Sequence, residues 1–154
     1  MTEAEILAFV GGLPGVVVQT AREGDGSPEA AWGDSFFFFD PSGALPENQR
    51  MPFATIVTSD YPGWDEFSDL NRPGVFRLNI SVGREAYAEL LGHTPAEHAA
   101  QVADYDFTAA DRLMPHPVYG VQSWVSIVNP GEATSEQART LLASAHAGAA
   151  SRTT

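Results

Sequence analysis

The 154-residue sequence contains no cysteine and no lysine. Without a thiol there is no disulfide, zinc–thiolate site, iron–sulfur cluster or cysteine nucleophile. Without an ammonium side chain there is neither Schiff-base chemistry nor a P-loop, because both need a lysine at a defined place. Long apolar runs are missing too, since none approaches the ~20 residues of a membrane helix. The opening Met1-Thr2-Glu3-Ala4-Glu5 is acidic where a secretory leader is basic, and no cleavage signature follows. A cytoplasmic location is the expectation. Positive charge is scarce: eight basic residues, all Arg, stand against 20 acidic ones, for a formal net charge of −12. Such a field repels phosphate backbones and anionic membranes, so neither nucleic acid nor membrane is an expected partner.

What is present suits one globular domain, with 44% apolar and 18% charged residues. Residues 1–147 are expected to form that domain and 148–154 a frayed tail. Helix starts are marked by Ser/Thr-x-x-acid/Gln traces that satisfy first-turn amides. Thr2 with Glu5 opens a helix with Ile6, Phe9, Val10 and Leu13 on one side. Thr94 with Glu97 adds Pro95 at the first helical position. Thr108 with Asp111 starts a turn that Pro115 stops, and Thr134 with Gln137 opens a last helix facing Ala138, Leu141, Leu142 and Ala145 to the core. A further helix runs from about Arg84 to Leu91, with Gly92 as its left-handed stop.

Between these lie strand-like segments at 16–20, 32–39, 53–58, 75–80 and 121–129. The first two flank Glu23-Gly24-Asp25-Gly26 and read as a hairpin. Phe36 to Phe39 is apolar in both phases, as in a strand covered on both faces. Residues 40–52 and 59–74 are long, Pro- and Gly-rich connections. Consecutive strands without intervening helices predict an α+β fold: an antiparallel sheet of four to six strands with helices packed mainly on one face.

The strings Leu13-Pro14-Gly15-Val16, Trp32-Gly33-Asp34, Phe36 to Pro41, Met51 to Val57, Arg72 to Ile80 and Met114 to Tyr119 resemble an actinobacterial family of uncharacterised proteins, unknown-function family 6194. The resemblance covers nearly the whole chain and carries no assigned chemistry. More remotely, Tyr119 to Ala145, an aromatic strand, a Pro-Gly turn and a capped helix, is similar to the YjbR/MmcQ-like fold. That resemblance implies an α+β domain in a class whose members mostly lack known catalytic activity, which favours binding.

Candidate chemistry collects in a few places. His116, between Pro115 and Pro117 on a stiff extended segment, is the general acid/base candidate, with Asp111 and Tyr119 as conceivable companions. A loop histidine bonded to backbone is the plainer alternative. His93 and His98 do not share a helical face, and neither Asp104, Asp106 and Asp111 nor Asp65, Glu66 and Asp69 has calcium-loop spacing, so no metal is expected and no cofactor is implied. Trp64, in the second long loop, is either a lid or partner contact or an aromatic folded onto the core.

Strand phase says more. Phe76, Leu78 and Ile80 share one face and leave Arg77 and Asn79 on the other, while Gln122 and Trp124 lie opposite Val121, Val125 and Ile127. Arg77, Asn79, Trp124 and Gln122, with Trp32 and Asp34, are therefore expected to gather on the face away from the helices. Arginine, tryptophan and amides suit a site that stacks a planar ligand or grips a carboxylate. A buried guanidinium needs a partner, so Arg77 should meet an acid such as Asp34 or stay reachable by an anion. The leading expectation is a binding module for a planar or anionic small molecule, or for a protein partner, on this polar–aromatic face. A small cofactor-independent enzyme using His116 with Arg77 holding substrate is the alternative, and an interaction subunit contacting its partner through the Trp64 loop is a third. The sequence does not set an oligomeric state.

Overall fold

The computed structural model describes residues 1–46 and 49–152. Its elements are α1 (Glu3–Gly11), β1 (Val16–Thr20), β2 (Ser35–Phe39), β3 (Ala54–Val57), β4 (Arg77–Ser81), α2 (Arg84–Leu91), α3 (His98–Gln101), β5 (Met114–Pro115), β6 (Trp124–Val128) and α4 (Ser135–Arg152). All six strands join one sheet in the order β1-β2-β3-β4-β6-β5, and every neighbouring pair is antiparallel. Among the described residues no helix is long and apolar enough to cross a membrane.

The two-residue period divides the sheet chemically. Register aligns Phe37, Ala54, Ile80 and Val125, and likewise Ile56, Leu78 and Ile127, on one face. These side chains form the core with Ile6 and Val10 of α1 and with Ala138, Leu141, Leu142, Ala145 and Ala149 of α4. Register aligns Phe36, Thr55 and Asn79, and Val57 with Arg77, on the other face, and Trp124 joins them opposite Ser81. Helices thus cover the aliphatic face, and loops cover the polar–aromatic one.

Local departures from the sequence expectation have identifiable causes. The hairpin between β1 and β2 forms, but residues 21–34 make a long connection in place of a tight turn. The segment from Trp32 becomes a strand only at Ser35, because Glu29–Ala31 is a 3₁₀ turn that Trp32 terminates. Strand β6 starts at Trp124 and not at Val121, because Tyr119–Gln122 forms a 3₁₀ turn and Ser123 takes a left-handed φ of 70°. Pro115 does not stop a helical turn. It lies in the edge strand β5, where a residue without an amide proton is tolerated. The tail expected to fray is helical as far as Arg152, because Ala149 extends the buried stripe of α4; Thr153 and Thr154 lie outside the described residues.

Caps follow the same logic. At α1 both capping-box bonds are present, Glu5 N–H to Thr2 Oγ1 at 3.1 Å and Thr2 N–H to Glu5 Oε1 at 2.9 Å. At α4 the cap comes from elsewhere in the chain. Asp111, held at φ 57°, accepts bonds from the amides of Gly131, Ala133 and Thr134 at 2.8–3.0 Å and from the Thr134 hydroxyl at 2.6 Å. The Thr134 hydroxyl, expected to accept within its own helix, is thereby a donor to Asp111. Thr108 likewise bonds back to Asp106 and not forward to Asp111.

The Thr134 hydroxyl and the backbone amides hold the Asp111 carboxyl down at about 2. A carboxylate with a lowered folded-state pKa adds stability that is present above its ordinary value of ~3.9 and is lost as pH falls through the folded value. Asp111→Ala should therefore lower the melting temperature at pH 6. In parallel thermal scans from pH 6 to pH 2 the gap to wild type should shrink toward the acid end, and a gap independent of pH would contradict this role.

Candidate functional site

Arg77 projects from β4 away from the helices and is only 1% exposed. Its five N–H groups can be followed individually. Nε donates to Asn79 Oδ1 at 2.8 Å. Nη1 donates to Asp65 Oδ1 at 3.2 Å and Ser68 Oγ at 3.0 Å. Nη2 donates to Asp65 Oδ2 at 2.5 Å and otherwise faces His116 Nε2 at 3.2 Å. Asn79 continues the network by donating from Nδ2 to Thr55 Oγ1 at 3.0 Å. The acid that meets Arg77 is thus Asp65, from the 59–74 loop, and not Asp34.

Asp34 serves the same loop from another side. Its carboxylate accepts the Tyr61 hydroxyl together with the Thr58 amide at 2.8 Å and the Thr58 hydroxyl at 3.1 Å. Burial raises the Asp34 carboxyl above its usual range against these bonds, and burial together with the Asp34 carboxylate raises the Tyr61 hydroxyl. Loop 59–74 also closes on itself, since Asp60 Oδ1 accepts from the Leu70 amide at 2.9 Å and Asn71 Oδ1 from the Asp60 amide at 3.1 Å. Trp32 does not face the shared site: its indole N–H donates to Ser27 O at 3.2 Å and pins the 21–34 loop.

His116 is held from both sides. Its amide bonds to Trp124 O at 3.0 Å, which continues the β5–β6 pairing by one residue. Its Nδ1 accepts the amides of Val118 at 3.0 Å and Tyr119 at 2.9 Å. One lone pair engaged by two N–H donors carries no proton, so the neutral ring holds its proton on Nε2. Burial, then the charge of Arg77, then His98 push the imidazole well below the ordinary histidine range. The segment is braced from beneath: His98 Nε2 lies 3.0 Å from Pro117 O, and His98 Nδ1 lies 3.3 Å from the Tyr87 hydroxyl. The His98 ring packs so tightly on Gly120 that a Cβ there would come within 2.5 Å of it.

Over this floor opens a cavity of about 570 Å³, within the ~300–1,000 Å³ typical of small-molecule sites. Its lining combines the polar Arg77, Asn79, Asp65, Thr55 and His116 with Phe36, Val57, Tyr61, Trp64, Tyr119 and Trp124. Trp64 is 58% exposed at the mouth, and its ring lies 6.4 Å from that of Tyr119. Tyr119 in turn is 4.9 Å from the His116 ring. The structure therefore brings together Arg77, Asn79, Trp124, Gln122, His116 and Tyr119. It leaves Trp32, Asp34 and Asp111 outside the lining, so the grouping of Asp111 with His116 does not form. Sequence reasoning missed Asp65, Thr55 and Tyr61 as parts of the site. Thr55 was legible in principle, since it pairs in phase with Asn79. His93 Nε2 meets the Tyr105 hydroxyl at 3.0 Å, whereas His98 Nε2 meets Pro117 O. Among the described residues no group of three or more His, Asp or Glu side chains is placed to hold a metal ion.

One protein-family model matches residues 1–154. The chain belongs to the family of unknown function DUF6194. No curated protein matches this DUF6194 chain in sequence. The crystal structure of Deinococcus radiodurans protein DR2400, which carries a DUF419 domain of YjbR-like fold, is similar to it with a TM-score of 0.50 and 14% identity. The likeness covers 94% of this chain and 75% of that one. At such identity it shows the α+β fold alone.

Because Arg77 and Asp65 are buried together, removing one partner strands a charge, which typically costs ~3–5 kcal/mol. Arg77→Ala should therefore lower the unfolding free energy in urea by about that much, a larger effect than an exposed binding-face arginine would give. Arg77→Ala with Asp65→Ala should lose less than the two single changes summed. A single Arg77→Ala variant within ~0.5 kcal/mol of wild type would show the pair to be dispensable.

Proposed function

We propose that the chain is a binding module that takes a small planar molecule in the cavity above Arg77 and His116. The observation that carries this reading is the combination of a 570 Å³ cavity with an aromatic lining and a polar floor whose Arg77, Asp65, Asn79 and Thr55 side chains are linked by hydrogen bonds. Phe36, Tyr61, Trp64, Tyr119 and Trp124 present flat rings on several sides, which favours a flat, mainly apolar body. The polar floor supplies orientation without being able to move far, since each of its members is tied to another.

Acid–base catalysis draws less support from the same atoms. The His116 Nδ1 lone pair is occupied by two amides, and Asp65 is committed to Arg77. Neither is placed to take a proton from a substrate. A purely anionic ligand is also disfavoured, because Asp65 already cancels the charge of Arg77.

Three probes sharing one flat ring system test the binding reading: 2-naphthamide, 2-naphthoate and 2-methylnaphthalene. In equilibrium dialysis at least one should bind saturably at one per chain. Trp124→Ala should weaken that binding about tenfold, the ~1.4 kcal/mol expected for a lost stacking wall. Failure of all three to bind, or binding indifferent to Trp124→Ala, would contradict it.

A further inference from the structure

We infer that the ligand enters with a neutral acceptor oxygen, a carbonyl of the amide, lactam or quinone kind, seated between Arg77 Nη2 and His116 Nε2. The inference deepens the small-molecule reading above and rests on it. It starts from a mismatch at the base of the cavity. Four of the five Arg77 N–H groups meet oxygens of Asn79, Asp65 and Ser68. The fifth points at His116 Nε2, 3.2 Å away. Because Nδ1 accepts from Val118 and Tyr119, Nε2 bears the imidazole proton and is itself a donor.

Two N–H groups therefore converge with no lone pair between them. Moving the proton to Nδ1 would not relieve the conflict, because it would set that proton against two backbone amides. His116 is 4% exposed and Arg77 1%, so neither donor is satisfied by open solvent. Yet both line the cavity floor, on the side where a ligand would arrive. An oxygen with two lone pairs, placed above the pair, accepts from both.

Charge decides what kind of oxygen it is. Arg77 is neutralised by Asp65 in a two-point ion pair, and the imidazole is neutral. Asp34 and Tyr61 stand beside the same loop, and the whole chain carries −12. A carboxylate would lose its hydration in exchange for donors with no net positive charge, whereas a carbonyl oxygen gives up far less water for the same two bonds. The site is thus an electrically balanced pair of donors set under apolar walls, which selects against anions and against hydrocarbons alike.

The same three probes separate these possibilities, because they differ only in the group that reaches the floor. By equilibrium dialysis at pH 7, 2-naphthamide should bind about tenfold tighter than 2-methylnaphthalene, which offers no acceptor, and tighter still than 2-naphthoate. If 2-naphthoate binds as well as or better than the amide, the floor behaves as an anion site and the inference is overturned while the pocket reading stands. If amide and hydrocarbon bind equally, the two donors do not engage the ligand and the inference is likewise overturned. If none of the three binds, the small-molecule reading falls and the inference with it.

Discussion

Burial of the Arg77 guanidinium on an otherwise loop-covered sheet face sets a condition that everything above that face must meet. A planar cation with five donors cannot be left dry without acceptors arranged around its edge. Asn79 on the same strand supplies one, and the sheet can supply no carboxylate at the right height. The 59–74 loop therefore descends to deliver Asp65 and Ser68. Such a pair adds little net stability over a well-packed apolar alternative. What it fixes is position: the loop that carries Tyr61 and Trp64 is tied to the centre of the sheet, and the cavity wall is fixed with it.

On the other side of the guanidinium the same demand shapes the 116–122 turn. His116 is oriented by two amides of that turn, the turn is anchored by His98 to Pro117, and the close fit requires glycine at 120. Each link is local and ordinary. Together they hold a neutral imidazole with its proton facing the one Arg77 N–H that no protein oxygen receives. The carbonyl oxygen of the proposed ligand answers that residual mismatch, since it would accept from both donors.

Strand phase made the sheet half of this site legible in the sequence. A period of two needs only a few residues to decide a face, so Arg77, Asn79 and Trp124 could be placed opposite the helices from their apolar neighbours alone. The loop half was not legible in the same way. Asp65 reaches Arg77 across 12 residues, and His116 reaches it across 39. Nothing in the spacing of Asp65, Glu66 and Asp69 marks which carboxylate turns inward. Asp34 offered the right chemistry for Arg77, yet it lies just before β2 and its carboxylate accepts from Tyr61 and Thr58. Ser123 broke an expected strand because a left-handed residue that is not glycine leaves no sequence signal. Asp111, expected to pair with Thr108 three residues before it, instead caps a helix that begins 24 residues later. The capping-box pattern cannot show such a contact, because it describes only neighbours.

The central claim is that His116 is a neutral donor through Nε2 and not a base. A two-bond proton–nitrogen correlation spectrum of protein labelled at histidine nitrogens reads the tautomer directly. The account predicts that His116 shows the Nε2–H form at pH 7 and keeps it well below the ordinary histidine pKa of ~6.5. An Nδ1–H tautomer, or an imidazolium already formed at pH 6, would contradict it.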